Sequence, residues 1–206
     1  KEKLFAQPAD FVNLNHGSFG ALPTVVAETQ FKFSRECEMH PDRWFRETYQ
    51  NRVDESRAGL ARLVNCPPET LVLVENVSTG VNAVLRSLQL QAGEGVLLLS
   101  TAYNMVKHTA AYLVDAKGVR VVVAQVDFPI LSSTQTIEAV RGALERDRED
   151  FGPGAIKLAV FSHICSMPTS IEPVKELTDL CHSFGSRVLV DGAHAPGQIV
   201  VDVPEV

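Results

Sequence analysis

The chain has 206 residues, 45% hydrophobic and 21% charged, an ordinary globular balance and enough apolar sequence for a sizeable core. Its formal charge of −6 and the lack of a dense Lys/Arg run argue against nucleic acid or an anionic membrane as main partner and leave a small molecule as the fitting ligand class. Four scattered cysteines, Cys37, Cys66, Cys165 and Cys181, point to reduced thiols and a cytoplasmic setting, and no apolar run reaches the roughly 18 to 20 residues of a membrane span.

Residues 1–21 are polar and glycine-rich around Asn15-His16-Gly17-Ser18-Phe19-Gly20 and read as a loop or arm. A helix is predicted from Leu22-Pro23-Thr24, with Pro in its first turn, through Val26 and Phe33 to Met39. His40-Pro41 interrupts it, and a second helix covers 44–64 until Asn65-Cys66-Pro67-Pro68 stops it. Short β-rich runs then follow at 71–74, 96–99, 119–123, 158–161 and 188–190, separated by helical segments at 77–91, 104–117, 135–149 and 173–184. That alternation specifies βαβ units. The expectation for 22–206 is a three-layer α/β domain whose mostly parallel sheet carries helices on both faces. The charges of Asp147-Arg-Glu-Asp150 read as a solvated helix end.

Open α/β folds place their ligands at the C-terminal edge of the sheet, so residues that follow strands are the site candidates. The run Arg187-Val-Leu-Val-Asp191 ends in a carboxylate, which is costly to bury unless it meets a cation such as a protonated pyridine nitrogen; a turn or N-cap Asp is the plainer alternative. Ser78 and Thr79 open a helix after the first run and suit a phosphate cradle, or else simple N-capping. Neither GxxxxGK[ST] nor GxGxxG is present, which disfavours a nucleotide. Tyr103 leaves the next strand, where it would stack on a planar cofactor or serve the core. Ser166 and His163 leave a further strand, and His163 reads best as a structural imidazole. A zinc site built from His163, Cys165, Cys181, His182 and His194 matches no usual ligand spacing, so no metal is expected.

Taken in order, Asn15-His16-Gly17-Ser18-Phe19-Gly20, Asn76-Val-Ser78-Thr79-Gly-Val-Asn82, Tyr103, Ser162-His163-Ile-Cys-Ser166 and Asp191-Gly-Ala-His194-Ala-Pro-Gly resemble the class V aminotransferase family. These are pyridoxal 5'-phosphate (PLP)-dependent enzymes of fold type I, and the first and last blocks are most similar to its isopenicillin N epimerase-like branch. The resemblance implies that Ser78 and Thr79 hold the PLP phosphate and that Tyr103 stacks on the ring. Asp191 would pair with the pyridine nitrogen, His194 with the ring oxygen, and Ser166 would line the cofactor face. Asp191, His194 and Tyr103 are thus the catalytic candidates, with Asn15 and His16 on the substrate side. An amino-acid substrate and a homodimer are implied in the same way.

Three departures from the family pattern stand out. The family's Schiff-base lysine falls a couple of dozen residues past the Asp-Gly-Ala-His block, beyond this sequence, and Lys107, Lys157 and Lys175 match no such position. The arginine-bearing small domain also lies beyond it. Thr169 stands near where the family usually has Gly, which changes the local turn. The chain therefore reads as a segment of a longer enzyme, inactive alone, whose intact form acts at Cα or Cβ of an amino acid as an epimerase, C–S lyase or aminotransferase. A non-catalytic PLP- or phosphate-binding α/β protein, and an α/β scaffold without cofactor, stay open beside it.

Overall fold

Parallel strands need a crossover connection, and the helix-length segments between these strands supply it. The computed structural model describes residues 4–205; residues 1–3 of the N-terminal arm and Val206 lie outside it. Four parallel strands lie in the order β2-β1-β3-β6, with β1 Gly95–Leu99, β2 Arg120–Ala124, β3 Ile156–Ser162 and β6 Arg187–Asp191. Leu98 lies opposite Val160 and Ser162 opposite Asp191, so the C-terminal ends of the three site-bearing strands are level.

Each central strand is apolar through its middle because each of its faces meets helices. On one face Leu97, Leu99, Ala159 and Phe161 pack with Val140 and Leu144 of α6 (Ser133–Phe151) and Leu177 and Cys181 of α7 (Val174–Ser183). Burial there pushes the Cys181 thiol up to about 12. On the other, Val96, Leu98, Leu158 and Val160 meet Val81 and Leu85 of α4 (Val77–Ser87) and Val106, Ala110 and Leu113 of α5 (Asn104–Lys117). The result is the three-layer α/β architecture expected from the sequence. Among the described residues no helix is long and apolar enough to cross a membrane.

By compactness the chain divides into units 1–60 and 61–206; the division after residue 21 drawn from the sequence is one of role. In the first unit, α1 (Thr24–Met39) forms where expected but buries no side chain, leaving Val25, Phe31 and Met39 exposed. Phe33 packs on the Trp44 ring, 6.2 Å between centroids, with the Arg52 guanidinium 5.5 Å away. The second helical segment starts earlier than predicted, with Pro41 in its first turn (α2, Pro41–Arg43), and continues through a π-helical turn, Trp44–Thr48, into α3 (Tyr49–Leu63). It ends as predicted at Asn65, whose left-handed conformation (φ 50°) lets the Cys66 amide reach the Ala61 carbonyl at 3.0 Å.

Three sequence expectations need correction. Residues 71–74 form no strand; Leu71 is extended, but among the described residues the run has no strand paired with it, and Val72 is 78% exposed. Extended propensity becomes a strand only where a partner supplies the other half of the ladder. α4 stops at Ser87 rather than residue 91, because Leu88 turns extended and the Lys117 ammonium takes the carbonyls of Arg86 (3.1 Å) and Leu88 (2.6 Å). Finally, Asp147 is not solvated. It is buried on α6 against Arg120, at 2.5 and 3.3 Å, and the Arg120 guanidinium also sits 3.5 Å from the Phe151 ring centroid.

Removing Arg120 strands a buried carboxylate, which is far more destabilising than losing a surface pair. Arg120→Ala is expected to lower unfolding free energy by about 3 kcal/mol, read from the urea midpoint at unchanged slope; a loss below about 1 kcal/mol would show the pair to be ornamental.

Candidate active site

The helix carrying Ser78 and the helix following Tyr103 are tied side by side. Asn82 of α4 receives the Thr109 hydroxyl of α5 at 3.0 Å and donates to the Met105 sulfur at 3.1 Å, Arg86 stacks on Tyr112, and Lys117 reaches Arg86 and Leu88. Partners ascend together along both helices, so α4 and α5 run parallel and their N-termini share one end. α5 starts just after β1, which fixes that end as the C-terminal edge of the sheet. Asn82 also donates to the Ser78 carbonyl at 3.0 Å, anchoring the first turn of α4.

That first turn is capped by Asn76, a role the sequence offered to Ser78 or Thr79 only as the alternative to a phosphate cradle. The Asn76 carboxamide oxygen accepts from the Thr79 amide (2.9 Å) and hydroxyl (3.3 Å). The amides of Val77 and Ser78 and the Ser78 hydroxyl keep no acceptor among the described residues. Unpaired donors at the positive end of a helix form an anion site. Because 71–74 is not a strand, this cradle is placed by α4 against α5 and not by a strand end. Tyr103 stands as the N-cap residue of α5, half exposed, and offers its ring at the same edge.

Asp191 closes β6 and is 4% exposed. One carboxylate oxygen accepts from the Ala193 amide at 3.0 Å, which meets the turn reading of this residue. The other has no partner among the described residues and remains for a ligand. His194, three residues on, is half-buried and holds φ +69°, a left-handed conformation that a non-glycine residue adopts at some expense. Open space lies above neighbouring Gly192, where an added Cβ would meet nothing within 4 Å.

Between β1 and β6 the chain leaves β3 into a small antiparallel hairpin that the sequence reading lacked, β4 (Ile164–Ser166) and β5 (Thr169–Ile171), joined by Met167 and Pro168 through a cis peptide bond. Ser166 sits exposed at its turn, where its carbonyl accepts the Thr169 hydroxyl at 3.2 Å. The His163 amide donates to the Asp191 carbonyl at 2.8 Å, and its own carbonyl accepts the Glu172 amide at 2.9 Å. Its imidazole is held by burial below the ordinary value near 6.5, which fits the structural role expected for it.

The structure thus gathers Ser78, Thr79, Tyr103, Ser166, Asp191 and His194 on elements that open at one edge of unit 61–206. Asn15 and His16 lie in the other unit, both exposed, with His16 accepting the Ala21 amide at 3.3 Å and stacked near Phe5. Among the described residues no lysine pairs with Asp191 or bonds Ser166 or His194; Lys107, exposed on α5 as expected, gives its ammonium to the Ser100 carbonyl at 2.7 Å. Nor do three His, Cys, Asp or Glu residues gather as a metal site there. The sequence reading missed Asn76, whose N-cap chemistry was available in its residue type, and Asn82, whose partners on α5 lie more than twenty positions away.

The fold is shared with solved enzymes. The cystine C–S lyase C-DES, complexed with its product cysteine persulfide, superposes with a TM-score of 0.81 at 21% identity, over 95% of this chain and 51% of that one. The apo cysteine desulfurase of Thermococcus onnurineus gives 0.76 at 16%, over 99% and 49%. The model for "Aminotransferase class-V" matches residues 21–206, and the chain belongs to that family. A probable L-cysteine desulfhydrase of Arabidopsis thaliana, labelled chloroplastic, is 31% identical over 96% of this chain and 43% of its own length. The isopenicillin N epimerase of Streptomyces clavuligerus is 30% identical over 95% and 47%. The chain spans less than half the length of these curated relatives.

Two predictions follow from the geometry. A glycine at 194 removes the left-handed strain of about 1 kcal/mol while adding backbone freedom of similar size, so His194→Gly should keep the urea midpoint near that of the parent. A loss above about 2 kcal/mol would mean that packing of the ring, not a ligand, holds the turn. His163 binds its proton less readily folded than unfolded, so stability is lost as pH falls through about 6.5. His163→Gln should therefore lose less melting temperature than the parent between about pH 7.5 and 5.5; an equal loss contradicts this.

Proposed function

We propose that unit 61–206 binds pyridoxal 5'-phosphate and that the intact protein acts at Cα or Cβ of an amino-acid substrate. The observation that carries this reading is the alignment of α4 with α5, which sets an unsatisfied cluster of donors beside the strand end of Tyr103 and at the same edge as the buried Asp191 carboxylate. The residues fit the group. Two free amides and the Ser78 hydroxyl, with Thr79 beside them, suit a phosphate dianion. The unpartnered Asp191 oxygen suits a protonated ring nitrogen, and Tyr103 suits a ring face.

When bound, PLP supplies an electron sink for negative charge at Cα of the substrate. Asp191 holds the proton on the ring nitrogen, because a buried carboxylate with one oxygen already committed to a backbone amide gains most from a cationic neighbour. His194, in the left-handed turn after β6, would hydrogen-bond the ring oxygen, a role supported by the family resemblance. Ser166, at the hairpin tip, lines the cofactor face. The substrate-side role of Asn15 and His16 rests on family resemblance alone.

The relatives named as cysteine desulfhydrases favour cleavage of a Cβ–S bond in a sulfur-bearing amino acid, and the epimerase relative keeps proton exchange at Cα as the second outcome. Catalysis in this reading needs a lysine that none of Lys107, Lys157 and Lys175 supplies, so the 206-residue chain by itself is expected to be inactive. A homodimer belongs to the same reading and is supported by the apolar side chains that α1 leaves exposed. The alternative, a non-catalytic PLP- or phosphate-binding protein, would share the cradle.

Thermal melts with added PLP test the reading, because a ligand bound only to the folded state stabilises it by about 2.7 kcal/mol at a hundredfold excess over Kd. The wild type is expected to gain melting temperature and Asp191→Ala to lose most of that gain, with turnover abolished in the full-length enzyme. Near-normal turnover of Asp191→Ala, or no shift in the wild type, overturns it.

A further inference from the structure

Glu172 is 3% exposed and no cation pairs with it among the described residues, although a buried carboxyl group is costly without compensation. It lies just after β5, and its backbone amide already closes the hairpin onto His163. One carboxyl oxygen accepts the Ser170 hydroxyl at 2.6 Å and lies 3.5 Å from the Cys165 sulfur. That sulfur is also 3.5 Å from the Thr101 hydroxyl, two residues before Tyr103. A single thiol proton can serve only one of its two neighbours. The consistent assignment has Cys165 donating to Glu172 and the Thr101 hydroxyl donating to sulfur. Burial pushes the Cys165 thiol up, which keeps that S–H available as a donor.

We propose that Glu172 and Cys165 form a buried latch that positions the walls of the site, joining the hairpin that bears Ser166 to the loop that bears Tyr103 and, through the backbone of His163, to Asp191. Both are positioning residues, since both are buried and their side chains engage Ser170, Thr101 and each other. The three walls come from β1, β3 and β6, and the ladder that aligns those strands ends at Ser162 and Asp191. Past that point, the side-chain contact between Thr101 and Cys165 joins the β1 loop to the hairpin. The proposal rests on the PLP reading for its purpose but not for its test.

The experiment is backbone amide exchange on the unliganded chain, followed by PLP titration. In Glu172→Ala, exchange is expected to quicken about tenfold in peptides covering 99–104 as well as 162–172, with β2 and α6 unchanged. Glu172→Gln keeps the acceptor oxygen and should restore most of the protection. Cys165→Ala guards against a variant too unstable to read; it cuts the bridge but spares the Ser170–Glu172 bond, so only 99–104 should loosen. Asp147→Asn, at the opposite end of the sheet, serves as the equally buried control and should leave both peptides alone. Loosening confined to 164–172 in Glu172→Ala, or unchanged 99–104 in Cys165→Ala, overturns the latch. With PLP, Glu172→Ala should bind about tenfold more weakly while the Asp147→Asn control binds normally. A wild type that takes no PLP defeats the cofactor reading, and the exchange result still decides the latch.

Discussion

A strand buried on both faces has nowhere to put a polar group except at its ends. Leu97 and Leu99 look into one helical layer and Val96 and Leu98 into the other, and β3 repeats the arrangement with Ala159 and Phe161 against Leu158 and Val160. The positions of Tyr103 and Asp191 follow from that exclusion. Because the strands are parallel, their C-terminal ends fall on one edge, and the pairing of the apolar runs brings the residues just past them together. The pairing of Ser162 with Asp191 is where core gives way to site.

This is also why the sequence was legible where it was. α5 lies at 104–117 as read, since Tyr103 and Gly118 bracket a clear helical period and Gly118 supplies the left-handed cap (φ 68°). Tyr103 and Asp191 were recoverable as site candidates because an apolar run that stops marks its own exit. What pattern cannot carry is partnership. Residues 71–74 have the composition of a strand, yet a ladder needs two sides. Asp147 looks like its solvated neighbours Asp150 and Glu149, and only Arg120, 27 positions earlier, makes it a core residue. Glu172 gave no signal, because its place depends on Cys165, and Cys165 in turn touches Thr101, 64 residues away.

The site mixes settled and unsettled groups in a way that suits binding. The Asn76 carboxamide oxygen, Asn82 and Thr109 are engaged and fix the first turn of α4, while the Ser78 hydroxyl and one Asp191 oxygen are left wanting. His194 adds local strain to that list. Unsatisfied donors, an uncommitted carboxylate and a strained turn at one edge all lower the stability of the empty fold and raise the return on filling it. The rigid network around them limits how far these groups can relax toward one another instead.

The two buried thiols give this fold a pair of internal clocks. A thiol reacts as its thiolate and only when a reagent can reach it, so Cys165 and Cys181 are protected both by burial and by raised proton affinity. Cys37 and Cys66, partly accessible, modify first and mark the start. Cys181 lies among Leu177, Val140 and Phe161, and its modification waits for the core to open. Cys165 belongs to the hairpin, on β4, and its modification waits only for that hairpin to lift from Thr101. The interval between the two rates measures how independently the wall of the site breathes from the body that carries it.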